Sequence, residues 1–223
     1  MNKTRKAWEK VTDMISEDYF SLGPVNSEVI IKDTKHFLFT LARYKFAAKM
    51  LVRSSHIIEV GCGEGLGILS FLSETKAKVT GLDFDAPQIA YDNKNIIPHA
   101  KGRATFACHD FVNGPYKGVK GDGLVCLDVI EHIHAREQDK FLTNTCATLK
   151  QGGVAIFGTP NQDAQQYASA RSKVGHINLF DADRLEKTLG GYFSHVFMFS
   201  MNDEMVHTGY KRMAHYLMAL CIK

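Results

Sequence analysis

The five cysteines, at 62, 108, 126, 146 and 221, contain no CxxC pair, and most of them sit in apolar runs. That spacing excludes a cysteine-built metal cluster and a disulfide frame, and it predicts reduced core thiols in a cytoplasmic protein. No stretch approaches the ~20 consecutive apolar residues of a membrane span. No Lys/Arg block marks a nucleic-acid arm and the formal net charge is only +3, so a polyanion is not the expected partner. The basic start, Met1 to Lys6, leads into a Trp-containing amphipathic segment rather than an apolar core with a small-residue cleavage site, which argues against a secretory leader. No internal repeat or low-complexity tract interrupts the 223 residues. This length holds one packed α/β domain and is short for two.

What the chain does have is a glycine-rich turn, Glu59-Val60-Gly61-Cys62-Gly63-Glu64-Gly65, between the β-branched run His56–Val60 and a helical pattern. A buried strand turning sharply into a helix over alternate glycines is the cradle of a nucleotide-binding α/β unit. A dinucleotide site would carry a third glycine where Leu66 stands, and Glu59 and Glu64 bracket the turn with carboxylates that repel a diphosphate. S-adenosylmethionine, with a sulfonium and an ammonium against one carboxylate, has the favourable sign. The same heptapeptide resembles the first motif of the seven-strand, Rossmann-like (class I) S-adenosylmethionine-dependent methyltransferases. A turn used only for packing is the alternative.

Residues 3–20 predict a first amphipathic helix through Trp8, Val11, Met14 or Ile15 and Phe20, broken by Ser21–Asn26. A second helix is expected from Asp33 as N-cap to about Val52. Residues 1–53 thus form a helical N-terminal annex, which the resemblance implies is a lid, and 54–223 the cofactor-binding domain. Strands are expected at His56–Val60, Lys78–Asp83, Ala104–Cys108, Gly123–Leu127 and Val154–Gly158, with helices between them, one of them opened by Asp85 and Pro87 and another spanning about Glu137–Leu149. After a polar stretch and a short helix capped by Asp181 or Asp183, Tyr192–Ser200 and Met213–Ile222 suggest an antiparallel pair. The fold class is α/β: a seven-stranded, mainly parallel three-layer sandwich.

In such a sheet, ligands sit beyond the carboxyl ends of the strands. Asp83, followed by Phe84, can accept from both ribose hydroxyls, a geometry that serves NAD equally. His109-Asp110-Phe111 ends the third strand, where the resemblance implies that Asp110 meets the adenine amino group and the next backbone amide a ring nitrogen. Phe111 is otherwise ordinary core. Asp128-Val129-Ile130-Glu131-His132-Ile133 resembles the fourth-strand motif of the ubiquinone-biosynthesis O-methyltransferase group, and Lys150–Val154 and Gly158–Asn161 resemble its later motifs. The resemblance places the Leu127 carbonyl and Asp128 near the methionine end. The expected cofactor set is Glu59, Gly61, Cys62, Gly63, Gly65, Asp83, Phe84, Asp110, Phe111, Leu127 and Asp128, with S-adenosylhomocysteine as product.

Methyl transfer needs an aligned nucleophile and, for a hydroxyl acceptor, a base. His176 is the favoured base, in a Gly175-His176 element resembling that of the same group, with His132 the other candidate. The alternative for His132 is that it positions a loop. Asp128-x-x-Glu131-His132 with His176 also resembles the Glu-x-x-Glu-His plus His metal site of small-RNA 2′-O-methyltransferases and some ubiquinone O-methyltransferases. A metal-free site is preferred, and a divalent ion on Asp128, Glu131, His132 and His176 is its alternative. Arg171, Lys173 and Lys187 can meet an anionic group, and Tyr19, Phe20 and Tyr44 can line an acceptor pocket. Solvated charge and helix packing are the plainer readings. The expected function is O-methylation of a small-molecule hydroxyl or acid by a monomer or homodimer. The competing classes are a nicotinamide-dependent oxidoreductase and a non-catalytic S-adenosylmethionine-binding regulator.

Overall fold

The computed structural model describes residues 2–15 and 20–223. Among the described residues three helices precede the sheet: α1 (Lys3–Thr12), α2 (Pro24–Lys32) and α3 (Thr34–Met50). α1 ends at Thr12 with Asp13 as its C-cap, whereas the sequence predicts one helix to Phe20; residues 16–19, Tyr19 among them, lie outside the described residues. α2 corrects the expected break at Ser21–Asn26. Gly23 is its N-cap and Pro24 opens the first turn, where a missing N–H costs nothing and φ is already helical. α3 starts as expected, with the Asp33 carboxylate accepting from the His36 amide at 3.1 Å.

Alternating strands and helices follow: β1 (His56–Val60), α4 (Leu66–Glu74), β2 (Lys78–Asp83), α5 (Ala86–Asn95), β3 (Ala104–Cys108), β4 (Gly121–Leu127), α6 (Gln138–Thr148) and β5 (Leu149–Pro160). The expected tight turn at Lys150–Gly153 is instead drawn into β5, with Gly152 at φ +72° and a register shift against β4. The polar stretch after β5 forms a 3-10 segment, Gln162–Tyr167, and the short α7 (Ala170–Gly175). α8 (Ala182–Gly190) is capped by Asp181, whose carboxylate accepts from the Arg184 amide at 2.7 Å.

The last strands are β6 (His195–Asn202), β7 (Met205–His207) and β8 (Tyr216–Ile222). The sheet order is β3-β2-β1-β4-β5-β8-β6-β7. β1 to β5 pair in parallel, and β8 is antiparallel to both β5 and β6. The expected count of seven becomes eight because Met205–His207 folds back on β6 after Asp203, which adopts φ +49°.

Strand side chains alternate between two cores. Ile58, Leu124 and Phe157 pack under α6 and α8, while Ile57, Val125 and Ile156 pack under α3, α4 and α5. Each fully buried side chain of this size contributes about 2 kcal/mol, which holds the strand ends in register. The order of strands reverses between β1 and β4, so the crevice beyond Val60 and Leu127 is where this topology accepts a ligand. Among the described residues no helix is long and apolar enough to cross a membrane.

Candidate active site

The glycine turn follows β1 directly. Gly61, Gly63 and Gly65 have φ of +72°, +54° and +66°, a region that penalises any side chain. A Cβ on Gly61 would also lie 2.3 Å from Val129 Cγ2. Asp83, at the end of β2, faces this turn. One of its oxygens accepts from the Gly63 amide at 3.0 Å and the other from the Asp85 amide at 2.9 Å. Asp85 caps α5 by position only, and its carboxylate accepts from the Gln88 side-chain amide.

The two glutamates do not act as the sequence suggests. Glu64 turns away from the turn and accepts from the Val25 and Asn26 amides, each at 2.8 Å, closing the N-terminus of α2. Glu59 is 2% exposed, and burial, followed by Asp92 and Asp83, drives its carboxyl well above the usual range. Electrostatic exclusion of a diphosphate by two free carboxylates is therefore corrected: one is engaged in capping a helix and the other favours its neutral form. Leu66, packed in the interior where a dinucleotide turn keeps glycine, remains as the sequence placed it.

At the end of β3, the Asp110 oxygens accept from the Val112 amide at 2.8 Å and the Asn113 side chain at 2.6 Å. The Phe111 ring is core, edge-on to His109 and Phe141, which leaves only its backbone amide for a ligand. Phe84 is exposed beyond β2, Leu127 is buried, and the buried Cys62 thiol donates to Asp92 Oδ2 at 3.8 Å.

Beyond β4, Asp128 adopts φ +56° and its carboxylate receives Arg43 Nη1 at 3.0 and 2.9 Å. The Arg43 guanidinium lies 3.7 Å above the centre of the Tyr216 ring. Arg43 Nε, Tyr216 Oη and both Glu59 oxygens are buried without a hydrogen-bond partner. Such atoms carry a desolvation cost that a polar ligand relieves. Three positive-φ glycines, an oriented Asp83 and these orphaned groups fit a ligand with a ribose and a zwitterionic tail.

Glu131 is fully buried. Thr159 donates to its Oε2 at 3.0 Å, its Oε1 has no partner, and burial with Asp128 pushes its carboxyl up to about 8. The rings of His132 and His176 are 5.2 Å apart. His132 Nδ1 lies 2.8 Å from the Gly175 carbonyl. A carbonyl only accepts, so that nitrogen carries the proton and Nε2 keeps the lone pair of the neutral ring. His176 Nδ1 lies 3.4 Å from Gln165 Oε1, and burial, then His132, lowers its pKa below the ordinary value of 6.5. One ligand atom each from Glu131, His132 and His176 falls within 4.8 Å of the others, a carboxylate and two imidazoles suited to a divalent ion. Asp128, the fourth member of the alternative set, is instead held by Arg43.

Several expected acceptor contacts are engaged elsewhere. Arg171 pairs with Glu28 at 3.1 Å, Lys173 donates to the Gln166 carbonyl, and Tyr44 packs edge-on to Phe71. Phe20 lies edge-on to His99. Arg43 was missed, although an arginine amid Tyr44, Ala47 and Ala48 on the buried stripe of α3 requires an internal partner.

The model of a family described as a methyltransferase domain matches residues 32–192. The ubiquinone biosynthesis O-methyltransferase of Coxiella burnetii (strain Dugway 5J108-111) is 27% identical over 135 residues, covering 58% of this chain and 54% of that protein. The chain thus spans about half the length of the curated relatives it matches. The methyltransferase domain of bacterial CtHen1-C superposes with a TM-score of 0.69 at 16% identity, over 82% of this chain and 98% of that one. N-methyltransferase NodS from Bradyrhizobium japonicum WM9, in complex with S-adenosyl-L-homocysteine, superposes with a TM-score of 0.60 at 17% identity, over 83% and 87%. With the family model spanning most of the chain and the sheet order and glycine turn agreeing with it, the chain belongs to the class I S-adenosylmethionine-dependent methyltransferases.

Proposed function

We propose that this chain transfers a methyl group from S-adenosylmethionine to a hydroxyl or acid group of a small-molecule acceptor. The observation that carries the reading is the His132–His176 pair, 5.2 Å between ring centres, following β4 and β5 in a chain whose cofactor turn precedes them. The cofactor, when bound, supplies an electrophilic methyl carbon. Asp83 would receive the ribose hydroxyls, Asp110 and the Phe111 amide would meet the adenine edge, and Arg43 with Asp128 would flank the amino-acid end. His176, kept in its basic form at neutral pH by burial and by His132, removes the acceptor proton. Within the annex of residues 1–53, α2 serves as a cover: Glu64 fastens it to the glycine turn, and Glu28 ties it to Arg171 after β5. The five free thiols suit a reducing compartment such as the cytoplasm.

A second reading rests on the 4.8 Å cluster of Glu131, His132 and His176. These residues would hold a divalent ion, which lowers the pKa of a coordinated hydroxyl. Methyl transfer that survives thorough chelation, with cofactor affinity unchanged, removes the ion from the reaction.

The direct test is a screen of phenols, sugars and small acids with methyl-labelled S-adenosylmethionine. Label transfer that His176→Ala abolishes supports the enzyme. Binding without transfer to any acceptor supports the regulator.

A further inference from the structure

The helix α1 buries none of its residues. Trp8 is 64% exposed, and Val11, Met14 and Ile15 are exposed with it. At the angular step of an α-helix, Thr4, Trp8 and Val11 share one face while Lys3, Lys6 and Lys10 share the opposite one. Past the end of the helix at Thr12, the Met14 and Ile15 amides donate to the Val11 and Thr12 carbonyls in successive turns, and both side chains are exposed. Arg5 lies at the flank, paired with Glu9 at 3.4 Å.

α1 itself carries Lys3, Arg5, Lys6 and Lys10 against Glu9, with Asp13 at its C-cap and Glu17 and Asp18 following in the sequence, so the basic row belongs to the helix and not to the N-terminal segment as a whole. An apolar face with a tryptophan, backed by a row of lysines, fits an interface that offers acyl chains and negative charge together. A nucleic acid would satisfy the lysines and leave Trp8 and Val11 in water.

We propose that α1 docks the protein on the surface of an anionic lipid bilayer, lying in the headgroup plane with Trp8, Val11 and Ile15 toward the acyl chains and its lysines against lipid phosphates. A short apolar face and a basic row are each weak, and together they give reversible attachment.

Trp8 is the single tryptophan of the chain, so its emission reports on α1 alone. The full chain is mixed with vesicles of phosphatidylcholine, with and without phosphatidylglycerol. A blue shift of emission and co-sedimentation with the anionic vesicles only, reversed by high salt, is the expected result. Lys6→Gln with Lys10→Gln weakens vesicle binding about 25-fold, at about fivefold per charge, and Trp8→Ala abolishes it. Calorimetric affinity for S-adenosylmethionine stays unchanged in all variants and serves as the folding control. No shift with anionic vesicles, equal binding to neutral vesicles, or a Trp8 already shielded from aqueous quencher in a dimer each overturns the proposal.

Discussion

Arg43 and Asp128 stand 85 residues apart in the chain, yet one guanidinium nitrogen donates to both carboxylate oxygens, at 3.0 and 2.9 Å. The arginine side chain is 3% exposed and the aspartate 36%. The pair ties the helix ahead of the sheet to the carboxyl end of β4, so the annex helps build the candidate site.

Replacing Arg43 with Met leaves Asp128 without its partner. Loss of one member of a fully buried pair costs about 3–5 kcal/mol, and the exposure of Asp128 reduces this to about 2 kcal/mol. Urea denaturation measures that loss, and calorimetry is expected to show weaker S-adenosylmethionine binding. An unchanged dissociation constant takes Arg43 out of the cofactor site.

Asp83→Ala removes the acceptor of the Gly63 amide and the proposed acceptor of the ribose hydroxyls. Losing hydrogen bonds to a charged acceptor lowers affinity about a hundredfold. Titration calorimetry with S-adenosylhomocysteine reads this without turnover, and wild-type affinity would falsify the ribose assignment.

His176→Ala is expected to reduce kcat by about 10²–10⁴ while cofactor affinity holds. Because burial and His132 lower its pKa, the ring is protonated only below the ordinary value of 6.5. In the wild type, kcat/KM therefore falls on the acid side of that value, and in the variant this limb disappears. A persisting limb assigns the base to another group.

Asp92→Asn probes a carboxyl beneath the glycine turn. Burial raises Asp92 from 3.8 to about 8, with Asp83 and Glu64 adding to the rise and the Cys62 thiol opposing it. Between those values the folded state holds a proton that the unfolded state releases, so stability falls as pH rises and levels off above about 8. The slope is about 1 kcal/mol per pH unit. The variant is expected to gain melting temperature at pH 8 relative to pH 5. Parallel pH profiles for the two proteins count against the assignment.

Most of the fold was legible because strand and helix periods are local. His56–Val60, Lys78–Asp83 and Ala104–Cys108 stand at their expected limits, each a short apolar or β-branched run bounded by turn residues. α2 escaped because Gly23-Pro24 reads as a breaker, whereas the cap that starts the helix comes from Glu64, distant in sequence. β7 escaped because three residues carry too little pattern to register.

The amino-acid sequence by itself determined the layered α/β sheet, the glycine turn and the acids at the strand ends, because backbone preference and hydrophobic period act over a few residues. Only the tertiary structure decided the state of those acids. Glu59 favours its neutral form through burial, Glu64 caps α2, and Asp128 is held by Arg43, since desolvation and ion pairing depend on what the fold brings alongside and not on neighbours in the chain.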